Sequence, residues 1–149
     1  MKTREEYVEL AKANFKNGYN CSQAVLMAFA EELGIDAAQA AKLAQPFGAG
    51  MGGLREVCGA VSGMFMCAGL KFGGNPDKKA HYMLIQEMAE KFKELSGGSI
   101  ICRDLLGLSQ SDKSCAAPRT PEYYKKRPCV ELVGDAAGIF ADMLLKSSV

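Results

Sequence analysis

Apolar residues recur every three or four positions in almost every segment of this chain, which is the spacing of one helix face. Polar residues that cap helices precede two of these segments, where Thr3 pairs with Glu6 and Asn20 with Gln23 as in a capping box. Glycine or proline ends most of the segments. The pattern predicts helical segments at 4–17, 21–33, 37–45, 58–70, 76–96, 99–106 and 129–145.

Strands have almost no support, because the one alternation of note, at 130–132, continues into a helical pattern. The stretch 109–128 contains three prolines and little periodicity, and we interpret it as an ordered surface loop before the last helix. No repeat, linker or low-complexity tract divides the chain. We therefore predict one all-α domain over residues 1–149, a compact bundle of about five to six helices.

Composition and charge argue against several kinds of protein. Hydrophobic residues make up 48% and the formal net charge is +1, so the chain is globular and lacks the basic excess of a nucleic-acid-binding protein. The first residues are charged, unlike the apolar core of a secretory signal. The longest apolar stretch, 57–70, is shorter than the roughly 20 residues that a membrane helix needs. We expect a cytoplasmic protein that does not insert into a membrane and does not bind nucleic acid.

The cysteines carry the most chemical information, because structural disulfides rarely persist in the cytoplasm. The chain has six of them, and four stand where a helix is predicted to begin: Cys21, Cys58, Cys102 and Cys129. The first turn of a helix presents free N–H groups and a partial positive charge, and both favour thiolate over thiol. Since thiolate is the form that binds metal and attacks disulfides, we predict that these four cysteines converge in one catalytic or metal-binding site.

Small residues follow Cys58 at helical spacing. Gly59 and Gly63 lie one turn apart on one face, where they would let a neighbouring helix or a bulky cofactor approach closely. We therefore include both as candidate cofactor-binding residues. The glycines at 48–53 match a dinucleotide-binding pattern only formally, because a helix rather than a strand precedes them. We interpret them as a turn that clears space beside Cys58.

The other candidate ligands are less informative. Cys67 lies about two and a half turns after Cys58, so its sulfur points to the opposite face, and we interpret it as a buried structural residue. Cys115 is in the middle of the loop, where it is either a resolving thiol or merely exposed. His81 is near the start of a long helix, where a solvated residue is a simpler account than a metal ligand.

The segment Cys58-Gly59-Ala60-Val61-Ser62-Gly63, with Cys21 before it and Cys102 and Cys129 after it, resembles the C_GCAxxG_C_C family of redox-active proteins. The likeness covers about residues 15–140. It implies a small helical domain in which these four cysteines recur. It also implies a relationship to split-Soret cytochromes, whose related domain binds haem and an iron centre. This chain has no Cys-x-x-Cys-His motif and one histidine, so covalent haem is not implied for it.

Three functions fit the four cysteines. The leading hypothesis is an electron-transfer protein in which they ligate an iron–sulfur cluster, since four thiolates match that stoichiometry. The second is a metal-free thiol–disulfide oxidoreductase in which Cys58 pairs with Cys21 or Cys129. The third is a structural zinc site in an interaction domain. The sequence does not identify a redox partner, and the Gly/Ala/Met surface of the Cys58 helix also suggests a homodimer.

Overall fold

The computed structural model describes residues 1–108 and 128–147, so the loop predicted at 109–128 and Cys115 within it lie outside the described residues, apart from Pro128. Within these ranges the chain is all-α, as predicted, and its β-type pairing is one antiparallel bridge between Val57 and Ile101. Eight right-handed helices occur in this part of the chain: α1 (Arg4–Lys16), α2 (Cys21–Ala28), α3 (Ala30–Leu33), α4 (Ala37–Ala44), α5 (Gly59–Phe72), α6 (Lys79–Ser96), α7 (Cys102–Leu106) and α8 (Cys129–Ser147).

Local side-chain hydrogen bonds determine where the first helices begin. The Glu6 N–H donates to the Thr3 hydroxyl (3.2 Å) and the Thr3 N–H donates to the Glu6 carboxylate (3.0 Å), which completes the predicted capping box of α1. Asn20 and Gln23 form the same pair of bonds at α2 (3.0 and 2.9 Å). The helix predicted over 21–33 is interrupted at Phe29, whose backbone leaves the helical conformation (φ −111°, ψ 2°). The segment therefore forms two helices.

The core lies where α1, α2, α5 and α8 pack together. Tyr7 of α1 stacks on Phe29 with ring centroids 4.5 Å apart, and Phe29 meets Phe140 of α8 edge to face at 4.8 Å. All three rings are completely buried. Both arrangements are favourable for aromatic pairs, and rings of this size contribute a large share of the hydrophobic stabilisation. The aromatic contacts thus join the two ends of the described chain.

The long helix α6 begins later than the sequence pattern predicted. The side chain of Asn75 accepts the Asp77 N–H (2.9 Å), and the side chain of Asp77 accepts the Lys79 N–H (3.1 Å). Short polar side chains that bond to nearby backbone in this way favour turns over helix. The chain therefore turns through 75–78 before α6 starts.

The helix α6 is also the most exposed of the long helices, and it buries only Met88 and Phe92. Leu95, which the periodicity placed on the apolar face, is 57% exposed. None of the helices in the described ranges combines the length and the apolar character needed to cross a bilayer.

A left-handed turn leads from α4 towards α5. All five residues 49–53 have positive φ, between 55° and 88°. The Gly52 N–H donates to the Gly48 carbonyl (2.8 Å), as in one turn of a left-handed helix. This conformation costs roughly 1–2 kcal/mol for each residue that has a side chain, and Ala49 and Met51 adopt it. The sequence predicted a turn here but not its handedness.

Candidate functional site

All four predicted site cysteines lie at the start of a helix, as the capping signals and breakers in the sequence indicated. Cys21, Cys102 and Cys129 are the first residues of α2, α7 and α8, and Cys58 is the N-cap residue of α5. Three of them are buried and Cys21 is half-buried. The helix starts therefore place these cysteines in the interior and not on the surface.

A short antiparallel contact holds the starts of α5 and α7 side by side. The Cys58 N–H donates to the Ile100 carbonyl (2.8 Å), and the Cys102 N–H donates to the Glu56 carbonyl (2.6 Å). These bonds lie on either side of the β-bridge. Because they are backbone hydrogen bonds, they fix the positions of Cys58 and Cys102 independently of any bond to sulfur.

The crossing of α2 and α5 brings Cys21 close to Cys58. A Cβ atom at Gly59 would lie 3.1 Å from the Cys21 Cβ, and one at Gly63 would lie 2.8 Å from the Ser22 carbonyl oxygen. Larger residues at these positions would push the two helices apart. The neighbouring helix, one of the two explanations left open by the sequence, therefore accounts for both glycines. A cofactor-binding role for them stays a prediction.

Electrostatic interactions join the four cysteines into one group, which we call the thiol cluster. A hydrogen bond between the side chains of Cys21 and Cys129 is the largest cause that raises the pKa of Cys21 well above its usual value. Burial is the next cause, and the charges of Cys129, Cys58 and Cys102 add to it. Cys58 interacts in the same way with Cys102 and Cys129. Cys21 therefore interacts electrostatically with the other three cysteines that the sequence singled out, while their joint action as one site stays a prediction.

Cys21 and Cys58 do not show the lowered pKa that a helix start predicts. The N–H groups of Ala60 and Val61 lower the pKa of Cys58, but burial has the larger effect and raises it to about 12. At Cys58 the helix terminus thus favours thiolate, but removing the charge from water costs more than the helix N-terminus returns. At Cys21 the hydrogen bond with Cys129 is the largest cause. The expected net shift towards thiolate is therefore wrong for both cysteines as the chain arranges them.

A buried arginine that the sequence analysis missed lies against the thiol cluster. Arg55 is only 2% exposed, and its Nη1 atom lies 3.7 Å from the Cys102 Sγ. Its backbone has a positive φ of 59°. Its carbonyl accepts hydrogen bonds from the N–H (3.3 Å) and the Nη1 (3.2 Å) of Arg103, which also pairs with Glu56 (3.1 Å). The one signal in the sequence was an arginine between a glycine-rich turn and Cys58.

The left-handed turn supports the same side of the thiol cluster. A Cβ atom at Gly50 would lie 2.6 Å from the Cys102 Cβ and 2.7 Å from the Arg55 Cα. Glycine is therefore required here both by the close approach and by the φ of 67°. The cysteine against which Gly50 packs is Cys102, and the prediction that the glycines clear space beside Cys58 stays a prediction.

Neither Cys67 nor His81 is among the groups that shift the pKa of Cys21 or Cys58. Cys67 is completely buried in α5, and burial raises its pKa without a contribution from another cysteine. This agrees with the prediction of a structural residue on a different face. His81 is half-buried in α6, and its Nδ1 atom has no hydrogen-bond partner among the described residues.

The donor atoms of the thiol cluster are all sulfur. In the ranges that the structure describes, no three His, Cys, Asp or Glu side chains form a group suited to hold a single metal ion. A tetrahedral zinc site requires its sulfur ligands within about 2.3 Å of one point. An iron–sulfur cluster is larger and binds its cysteines through separate iron atoms, so it accepts more widely spaced thiolates. Thiolate sulfur is a ligand that both kinds of site accept, so the donor type is compatible with either.

A family model described as "Putative redox-active protein (C_GCAxxG_C_C)" matches residues 19–143 of the chain. This range includes all four members of the thiol cluster, the helices α2, α5 and α7, and most of α8. A search of curated proteins found no match, and neither did a search of solved structures.

Proposed function

The chain belongs to the C_GCAxxG_C_C family of redox-active proteins, and on that premise we propose that it transfers electrons through an iron–sulfur cluster. The ligands in this proposal are Cys21, Cys58, Cys102 and Cys129. The observation that carries it is the mutual interaction of four thiols from four helices, three of them buried and one half-buried. Thiolate sulfur is the ligand that these clusters require.

The raised pKa values support a positively charged occupant. Thiolates that are buried together repel one another and lose their hydration, so four of them are unfavourable without a compensating cation. A metal ion reverses this balance, because a coordinating thiol is deprotonated outright. We therefore expect cluster assembly to release protons from Cys21 and Cys58, whose pKa values lie above the usual range.

When bound, the cluster would supply the one-electron chemistry, with a potential that depends on charge, hydrogen bonding and exposure. The chain would position the ligands and exclude water. The α2–α5 crossing sets the positions of Cys21 and Cys58, and the backbone bonds beside the bridge set that of Cys102. Helix N-termini and the Arg55 guanidinium would offset part of the negative charge.

Anaerobic purification tests this proposal directly. We expect a brown protein that contains iron and acid-labile sulfide, and whose colour is lost when any one ligand is replaced by serine. Cys67→Ser is the matched control, because Cys67 is buried but lies outside the thiol cluster. A colourless wild-type protein that cannot be reconstituted would contradict the proposal. Zinc at about one ion per chain would indicate the structural zinc site instead.

The hydrogen bond between Cys21 and Cys129 supports a second candidate function, a thiol–disulfide oxidoreductase. It favours this pair over the pairs with Cys58 that the sequence suggested. In the reaction the two thiols would lose two electrons and two protons and form a disulfide, while a disulfide substrate would gain them and become two thiols. The raised pKa of Cys21 argues against fast attack at neutral pH.

Peptide mapping after incubation with a small disulfide distinguishes this candidate from the first. A Cys21–Cys129 link that forms in the metal-free protein and is reversed by thiols would support it. Two reduced cysteines after prolonged incubation would exclude it. The cytoplasmic location, the homodimer and the absence of nucleic-acid binding remain predictions.

A further inference from the structure

Arg55 is the largest side chain in the described interior, and it carries a positive charge. A buried charge is unfavourable unless an opposite charge or hydrogen-bond acceptors compensate it. The guanidinium contacts the thiol cluster directly, since the Arg55 Nη1 lies 3.7 Å from the Cys102 Sγ. An arginine in such a place is suited to a site that becomes negatively charged when it is occupied.

The backbone around Arg55 is held on several sides, which fixes the point from which its side chain extends. Its own carbonyl is bonded by Arg103 at two points (3.2 and 3.3 Å), and Gly50 packs against its Cα. The left-handed φ of 59° is unfavourable for an arginine. The adjacent carboxylate of Glu56 is 3.1 Å from the Nη1 of Arg103, which ties Arg103 to the same stretch of backbone.

We propose that Arg55 is a positioning residue of the thiol cluster, which orients Cys102 and places a fixed positive charge beside the bound iron–sulfur centre. This inference rests on the proposed function. Reduction adds one negative charge to the centre, and a nearby positive charge stabilises the reduced state more than the oxidised state. The effect is large only where solvent is excluded, as it is around Arg55. Arg55 therefore raises the reduction potential.

The test is a potentiometric titration of the cluster-loaded protein, followed by absorption and electron paramagnetic resonance. In Arg55→Gln we expect the ratio of reduced to oxidised centre, measured at the wild-type midpoint, to fall at least about tenfold, which is 59 mV for a one-electron couple. Arg4→Gln is the control, because it removes the same charge from a side chain that is 41% exposed and paired with Asp142 (2.9 Å), towards the opposite end of α8 from Cys129. There we expect a change of less than about threefold, because solvent screens the charge.

Two further variants keep the inference open to refutation. Arg55→Lys retains the positive charge but lacks the planar guanidinium group. We expect its reduction potential to recover at least half of the change seen in Arg55→Gln, while the paramagnetic resonance spectrum stays altered. If Arg55→Gln does not fold, Arg55→Met gives the same measurement without an unpaired amide in the core. Equal potentials in the wild type and the neutral Arg55 variant would overturn the inference alone. A wild-type chain that binds no cluster would overturn the proposed function and this inference together.

Discussion

One methyl group added at Gly63 tests the helix crossing on which the thiol cluster depends. The new Cβ would lie 2.8 Å from the Ser22 carbonyl oxygen and 3.0 Å from the Val25 Cβ. Favourable contacts between carbon atoms lie at about 3.5–4.0 Å. Neither neighbouring atom is at the end of a flexible side chain, so α2 has to move away from α5.

The expected loss follows from two opposing effects. Overpacking of this kind costs about 1–3 kcal/mol. The change from glycine to alanine within a helix returns about 0.5–1 kcal/mol, because alanine loses less backbone entropy on folding. We expect Gly63→Ala to lower the free energy of unfolding by about 1–2 kcal/mol. For a chain of this size, each kcal/mol lowers the Tm by about 2–4 °C.

Urea unfolding followed by circular dichroism measures this loss, and Gly69→Ala is the matched control. Gly69 lies in the same helix, and a Cβ there would meet nothing within 4 Å. The control keeps only the entropic gain, so it is expected to be about 0.5–1 kcal/mol more stable than the wild type. Equal stabilisation of both variants would refute the tight crossing. Under the proposed function, Gly63→Ala also lowers the iron content because Cys21 moves relative to Cys58.

Three more changes have definite expected outcomes. Gly50→Ala is expected to lose about 1–3 kcal/mol more stability than Gly34→Ala. Both glycines have positive φ, but only a Cβ at Gly50 would clash, with Cys102 among other residues. Equal losses in urea unfolding would contradict the described packing. The pKa of Cys58 is raised from 9.0 in the unfolded chain to about 12 in the folded one. The contribution of the neutral Cys58 thiol to the free energy of unfolding is therefore fully present below pH 9 and is lost as the pH rises towards 12. That loss is about 4 kcal/mol in the metal-free protein, and Cys58→Ala should flatten the pH profile by this amount. Cys67→Ala is expected to cost about 0.5–1.5 kcal/mol through a small cavity while the iron content is unchanged; a lower iron content would place Cys67 in the site.

The helix starts could be predicted because their causes are local. Thr3 with Glu6 and Asn20 with Gln23 satisfy free N–H groups within four residues, so their spacing in the sequence is sufficient evidence. The Asn20 cap placed Cys21 at a helix start in this way, whereas the glycine-rich turn and Pro128 marked the starts at Cys58 and Cys129. Reasoning from local signals failed at α6, where Asn75 and Asp77 bond to the backbone and delay the helix.

The properties of the site depend on tertiary contacts, and these left little trace in the sequence. The pKa of Cys58 is set mainly by burial, which no local pattern reveals, so the helix-start argument predicted the wrong direction. Arg55 read as an ordinary charged residue in a turn, because only the folded chain shows it beside Cys102. The close approach of Gly50 to that cysteine likewise brings together residues that are far apart in the sequence.

Removal of metal separates an electron-transfer site from a structural zinc site, and the fold favours the first outcome. The aromatic contacts among Tyr7, Phe29 and Phe140 contain no sulfur, and the α2–α5 crossing and the β-bridge are made by backbone and glycine. The helices should therefore remain after chelation, whereas a domain held together by zinc unfolds when its metal is removed. We expect far-UV circular dichroism to be unchanged by a chelator under anaerobic conditions, while the visible absorption disappears. Loss of both signals together would mean that the metal holds the fold, which would favour the zinc site.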